Sequence, residues 1–138
     1  MNSLSSILRA LTLVVAGIAG ISLSVAGIGI MNVMLVSVSE RTREIGLLKA
    51  VGASRLQILA AFLVEATFIS AAGGLLGLLV GWLSVRLLVQ VYPALPASPP
   101  VWAVAAAFGL SVAVGTIFGF LPARRATLLD PVTALSRR

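Results

Sequence analysis

From Ala10 to Ser39 no side chain is charged. As a helix that run is about 45 Å long, the full depth of a bilayer with its headgroups. A second apolar run begins at Leu56, is interrupted by Glu65 and reaches Val85 before Arg86. A third covers residues 101–121 and meets Pro122. Three such runs in 138 residues leave one class of fold. Overall 59% of the residues are hydrophobic, only 10% are charged, and the mean hydropathy is +1.13. A soluble domain carries roughly 25% charged residues, and a globule of this size could not hide so much apolar surface. The sequence therefore predicts an all-α integral membrane protein with spans at about 10–39, 56–88 and 101–121. The first run is too long for the apolar core of a signal peptide, about 7–15 residues, so it is expected as a retained helix.

Between the second and third runs lies YPALPASPP, residues 92–100. Prolines 93, 96, 99 and 100 forbid a helix there, so this is a short extended connector. Between the first and second runs lies a polar stretch that solvation places in water. It carries Glu40, Arg41, Arg43, Glu44, Lys49 and Arg55. The segment after Pro122 carries Arg124, Arg125, Arg137 and Arg138, whereas the proline connector has no basic residue, Arg86 being the nearest. By the positive-inside rule both charged regions are cytoplasmic. The amino terminus and the connector are then outside and the carboxyl terminus inside, as three spans require. Arg9, near the outer end of the first span, is the one counter-signal. The net charge of +6 is read as this loop bias, and no nucleic-acid partner is expected.

The polar stretch has its own punctuation. Ser37 and Glu40 have capping-box spacing, and so do Ser54 and Gln57. Gly52 suits a helix C-terminus, where a left-handed residue is needed. The expectation is a helix over about 40–51, a turn at Gly52 and Ala53, and a new helix capped by Ser54 that enters the second span. Glu40 with Arg43, and Arg41 with Glu44, can pair at i, i+3. Ile45, Leu48 and Gly52 share one face, with Leu47 and Val51 on the next. A short helix both charged and apolar suits docking onto another protein, although an ordinary interfacial loop helix has the same pattern.

Within the spans, Gly73, Gly77 and Gly81 recur every fourth residue with Gly74 beside them, and Gly115 with Gly119 repeats the spacing. Small residues so placed let helices approach closely, within the chain or at a dimer interface. Glu65 is an acid just inside the second span. Such a residue is a functional candidate by default, but near a span end it can also reach the interface or cap a neighbour. Arg124 and Arg125 would anchor the third span at the headgroups. Asp130-Pro131 reads as N-cap and N1 of a short tail helix within residues 122–138.

Several chemistries are excluded. Without cysteine or histidine there is no disulfide, no thiolate site and no catalytic triad. No G-x-x-x-x-G-K-[ST] phosphate cradle is present, and the glycine-rich run at 73–81 lacks a lysine and lies within a span. No catalytic site, metal or cofactor is expected in this chain.

Two stretches carry a resemblance. GIGIMNVMLVSVSERTREIGLLKAVGA, residues 27–53, closely resembles the permease domain of MacB/FtsX/LolC-type ABC transporters. PARRA at 122–126 followed by LDPVTAL at 129–135 is similar to that family's terminal signature, and FLVEA at 62–66 matches as well. The resemblance covers essentially residues 1–138 as one carboxy-terminal permease domain. It implies four spans in a complete member, a large extracytoplasmic domain after the first, dimerisation (homo- or heterodimer), and an ABC ATPase subunit or domain carrying the nucleotide site. A periplasmic adaptor is a further partner of the efflux members. It also implies that Glu40, Arg41, Arg43, Glu44, Gly46, Lys49 and Gly52 fall on a cytoplasmic coupling helix that contacts the ATPase. The chain begins just before the family's second span, so either a fragment of a longer permease or a separately encoded half is expected. Three functions follow as alternatives: transmission of ATP-driven motion across the bacterial inner membrane for export or extraction of a drug, peptide or lipoprotein; FtsX-type control of an extracytoplasmic cell-wall hydrolase without transport; or a small helical membrane protein with no ATPase partner.

Overall fold

A computed structural model describes residues 2–93 and 98–129. Its elements are α1 (Asn2–Glu40), α2 (Thr42–Ala50), α3 (Arg55–Val91) and α4 (Val101–Leu128). Three of the four are long and apolar enough to cross a membrane, and the described residues hold no strand. Helix α3 ends at Val91 and α4 starts at Val101, on either side of the expected proline connector, whose residues 94–97 lie outside the described residues; Pro100 serves as N-cap of α4 in an extended conformation.

Helix α4 is the central element. It packs along both α3 and α1, which barely touch each other. Its seam with α3 consists of small residues and hydroxyls. A Cβ on Gly119 would overlap that of Ala66, one on Gly115 would overlap Ser70, and Gly74 lies against Ser111 and Phe108. Thr67 Oγ1 and Thr116 Oγ1 are 3.2 Å apart, and Ser111 Oγ donates to the Ser70 carbonyl at 3.2 Å. Backbones can approach this closely only where side chains are absent or tiny. Against α1, Gly27 lies beneath the Phe118 ring.

The antiparallel register of α3 and α4 brings Trp82 beside Ala103. Trp82 and Trp102 then stand at nearly the same level. Along α4, Trp102 lies about 32 Å from Ala123, close to the ~30 Å hydrocarbon thickness. Arg124 and Arg125 follow directly, both exposed. Aromatics at one level and arginines at the other are what a helix pair held in a bilayer presents. Arg86 lies one turn beyond Trp82, with its guanidinium carbon 4.7 Å from the indole centroid.

Burial is concentrated at the opposite end from Trp82. Met34 and Val38 of α1, Ile45 of α2, Ile58, Phe62 and Ala66 of α3, and Ala123 and Ala126 of α4 form one core. The apolar surface of the remaining helix length is largely exposed, as lipid-facing residues are.

Three local expectations are corrected. The third helix does not stop at Leu121: α4 continues through Pro122 to Leu128. A proline inside a helix costs about 3 kcal/mol, but Pro122 is fully buried and Ala123, Ala126 and Thr127 beyond it are buried too. Packing of that last stretch offsets the lost hydrogen bond. Arg124 and Arg125 thus belong to α4 and not to a separate tail. The tail helix expected at Asp130-Pro131 lies outside the described residues.

The second correction concerns the Ser37–Glu40 capping box, which is not formed. Ser37 and Glu40 lie inside α1, and the Arg41 N–H still donates to Ser37 O at 3.0 Å, so no helix starts at Ser37; the N-cap of α2 is Arg41, without a side-chain cap. The break between α1 and α2 is confined to Arg41 (φ −95°, ψ 14°). Thr42 Oγ1 donates instead to the carbonyls of Val38 and Ser39, satisfying the end of α1. Third, Glu40 makes no ion pair with Arg43 among the described residues, whereas Arg41 and Glu44 do pair.

The other end of α2 follows expectation. Gly52 has φ +104°, and the Ser54–Gln57 capping box is complete, an arrangement worth about 1 kcal/mol. Gly52→Ala is expected to destabilise the chain by about 1 kcal/mol, because a Cβ is disfavoured at that φ. A denaturant titration in detergent, followed by circular dichroism, reads the difference.

Candidate functional site

Helix α2 stands where the packed ends of α1, α3 and α4 converge. Its nine residues are too few for a stable isolated helix, so its position depends on its anchors. Ile45 and Gly46 are buried and bring α2 into the core. At its start, Arg41 Nε lies 3.2 Å from Glu44 Oε2, and Arg41 Nη1 lies 3.5 Å from Glu65 Oε2 on α3. At its far end, Lys49 Nζ donates to the carbonyls of Thr127, at 2.7 Å, and of Leu129. One short helix therefore carries side-chain links to both α3 and α4.

The contact with Arg41 accounts for the acid inside the second span. Glu65 lies one turn further into the bundle than the level of Arg124 and Arg125, and its side chain is 39% exposed. A carboxylate so close to hydrocarbon is costly without a cation. Arg41 supplies that cation from the break between α1 and α2. Arg41, Glu44, Ile45, Leu48, Ile58, Ala61, Phe62 and Glu65 line an open cleft of about 290 Å³ between α2 and α3.

The outward surface of α2 mixes charge with apolar area. Arg43 and Glu44 are exposed, and so are Leu47 (58%), Leu48 (54%) and Val51 (82%). Glu40 is exposed at the end of α1. Glu40, Arg41, Arg43, Glu44, Gly46, Lys49 and Gly52 thus lie on or immediately beside one element. Only Ile45, Gly46 and the half-buried Lys49 and Thr42 turn inward.

The glycines divide differently from their sequence spacing. Gly115 and Gly119 are buried in the α3–α4 seam, whereas Gly73, Gly77 and Gly81 have nothing within 4 Å of an added Cβ. The α3 side of the seam consists of Ala66, Ser70 and Gly74, one residue round the helix from the glycine series. Sequence reasoning missed Ala66, Ser70, Thr67 and Thr116. The signal for Ala66 and Ser70 was the same four-residue spacing, carried to Gly74 by alanine and serine; Thr67 and Thr116 had none. It also missed the reach of Lys49 to α4, which no local pattern encodes. Among the described residues no group of acidic side chains could hold a metal ion.

Residues 16–131 match the FtsX-like permease C-terminal family. The macrolide export ATP-binding/permease protein MacB of Bradyrhizobium diazoefficiens is 51% identical over 136 residues, which cover 99% of this chain and 21% of that protein. The protein of the same name from Rhodopseudomonas palustris is 50% identical over 136 residues, again 99% and 21%. The one from Wolinella succinogenes is 50% identical over 131 residues, 91% and 19%. The chain thus spans about a fifth of the length of these relatives. With about half of the residues identical over nearly its entire length, and with residues 16–131 matching the family model, the chain belongs to the FtsX-like permease C-terminal family.

Proposed function

We propose that the chain is the transmembrane permease part of a MacB-like ABC transporter, passing ATP-driven motion from an ATPase partner across the bacterial inner membrane to export or extract a substrate. Helix α2 is the cytoplasmic coupling helix, and the carboxyl terminus is cytoplasmic. The observation that carries this reading is the construction of α2. It exposes Arg43, Glu44, Leu47, Leu48 and Val51 at the one end of the bundle where all three long helices are packed together. A force applied there reaches every span, whereas one applied at the opposite end meets helices with little between them. The basic residues at this end support the cytoplasmic side.

ATP hydrolysis belongs to the partner, as the combined ATP-binding and permease activities in the relatives' name suggest. The substrate is of the drug, peptide or lipoprotein class. The open face with Gly73, Gly77 and Gly81 is assigned to contact with a second permease, since among the described residues nothing lies within 4 Å of a Cβ added at these positions and small residues favour close helix approach.

Charge reversal on the exposed face tests the assignment of α2. Arg43→Glu is expected to lower ATPase co-purification at least tenfold while leaving the fold unchanged, because Arg43 makes no ion pair within the described residues. Co-purification at the wild-type level would remove α2 as the docking element.

A further inference from the structure

Among the described residues, Lys49 is the side chain of α2 that donates hydrogen bonds to the α4 terminus, and the acceptors are the backbone carbonyls of Thr127 and Leu129. The last carbonyls of a helix have no partner within the helix and carry the negative end of its dipole. A lysine ammonium placed among them satisfies acceptors and charge together. The α4 C-terminus needs such help. Its C-cap Leu129 is extended (φ −61°, ψ 130°), so the chain leaves the helical path directly after Leu128. Thr127 is buried, which leaves its carbonyl poorly placed to find water. Among the described residues, a side chain that caps this end of α4 comes from α2.

We propose that Lys49 is a positioning residue that makes α2 the C-terminal cap of α4, so that displacement of α2 enters the bundle through α4 and not chiefly through α1. The geometry on the α1 side favours this route. Helix α1 meets α2 at a break confined to Arg41, whose φ and ψ leave the helical values. A single irregular residue between two helices is a joint at which they can change angle. At its far end α2 is held to α4 by two hydrogen bonds from one ammonium. Because α4 packs on both α1 and α3, motion delivered to it reaches the whole bundle. The long uncharged α1 is then driven from its side by α4. The transmission half of this inference rests on the ATPase-coupled reading above; the capping half does not.

The absence of cysteine makes a direct test simple. Spin labels at Leu47→Cys and Leu128→Cys, both exposed positions, report the α2–α4 distance in the full chain reconstituted in lipid nanodiscs. A narrow distance distribution is expected with Lys49, a width at least doubled in Lys49→Met, and a narrow one again in Lys49→Arg, which can also donate to the two carbonyls. Equal widths in all three overturn the capping role. In the assembled transporter, Lys49→Met is expected to lower substrate exported per ATP hydrolysed about tenfold with the ATPase still bound, and Lys49→Arg to restore most of it. Wild-type export from a variant with broadened distances overturns transmission through α4. If the wild-type chain binds no ATPase, the coupling reading fails, and the three distance distributions still decide the cap.

Discussion

Leucine at Gly115 is expected to lower stability by about 3 kcal/mol or more, the largest loss from any single substitution in the α3–α4 seam. Even the first added carbon overlaps Ser70 Cβ and Oγ. Ser70 cannot swing away freely, since it is buried and its hydroxyl bonds back to the Ala66 and Thr67 carbonyls of its own helix. The helices must therefore separate. Separation also breaks the Thr67–Thr116 contact and the Ser111 hydrogen bond to Ser70 O. Gly119→Leu should behave similarly, because its added atoms meet Ala66. Gly77→Leu is the control: with nothing within 4 Å, it should change the stability of the monomer by less than about 0.5 kcal/mol. Unfolding in detergent with increasing SDS, followed by Trp82 and Trp102 fluorescence, separates the three variants. Equal loss at Gly77 and Gly115 would mean that the seam lies elsewhere.

The contrast between these glycines shows how far sequence reasoning reached. Three spans were legible because runs without charge have few other solutions, and the observed helices contain all three expected segments. Gly52, Ser54 and Gln57 were legible because they act within a few residues of themselves. The seam was not, because rotation about a helix axis is set by the partner. Gly73 and Gly74 differ by about 100° around α3, and only the neighbouring α4 decides which of them faces inward. Glycine spacing pointed to the first, while Ala66, Ser70 and Gly74 form the contact. The passage of α4 through Pro122 was hidden for the same reason. Local chemistry ends the helix there, and burial against the other elements carries it on.

The polar stretch divides along the same line. The pairing of Arg41 with Glu44 follows from helical spacing and is present. The pairing of Glu40 with Arg43 has the same spacing and is not made, because Glu40 ends α1 while Arg43 already lies in α2, with the Arg41 break between them. Glu65 and Arg41 lie too far apart in sequence for any pattern to join them, as do Lys49 and Thr127. Glu40 ends α1 and Arg124 and Arg125 lie on α4, whereas Arg43, Glu44, Gly46 and Lys49 could be placed on their helix in advance. What that element is tied to required the fold.

Arg41→Glu is expected to reduce export per ATP hydrolysed at least tenfold with little loss of folding stability. Arg41 faces Glu44 and Glu65 at 3.2 and 3.5 Å. Reversal gathers three carboxylates around the joint between α1 and α2, at the edge of the hydrocarbon where screening by water is weakest. Both lost ion pairs are partly exposed, with Arg41 half exposed, so each contributes no more than about 1 kcal/mol to folding. The fold should survive while the orientation of α2 changes. An ATPase that remains bound, hydrolyses ATP and moves less substrate is the signature of that state. Addition of Glu65→Arg should recover much of the loss, because an oppositely charged partner is restored across the same gap. If the double variant exports no better than Arg41→Glu alone, then Arg41 acts by touching the partner and not by holding α2 to α3. Recovery would instead give the acid in the second span its role: an anchor that sets the angle of the coupling helix from inside the membrane edge.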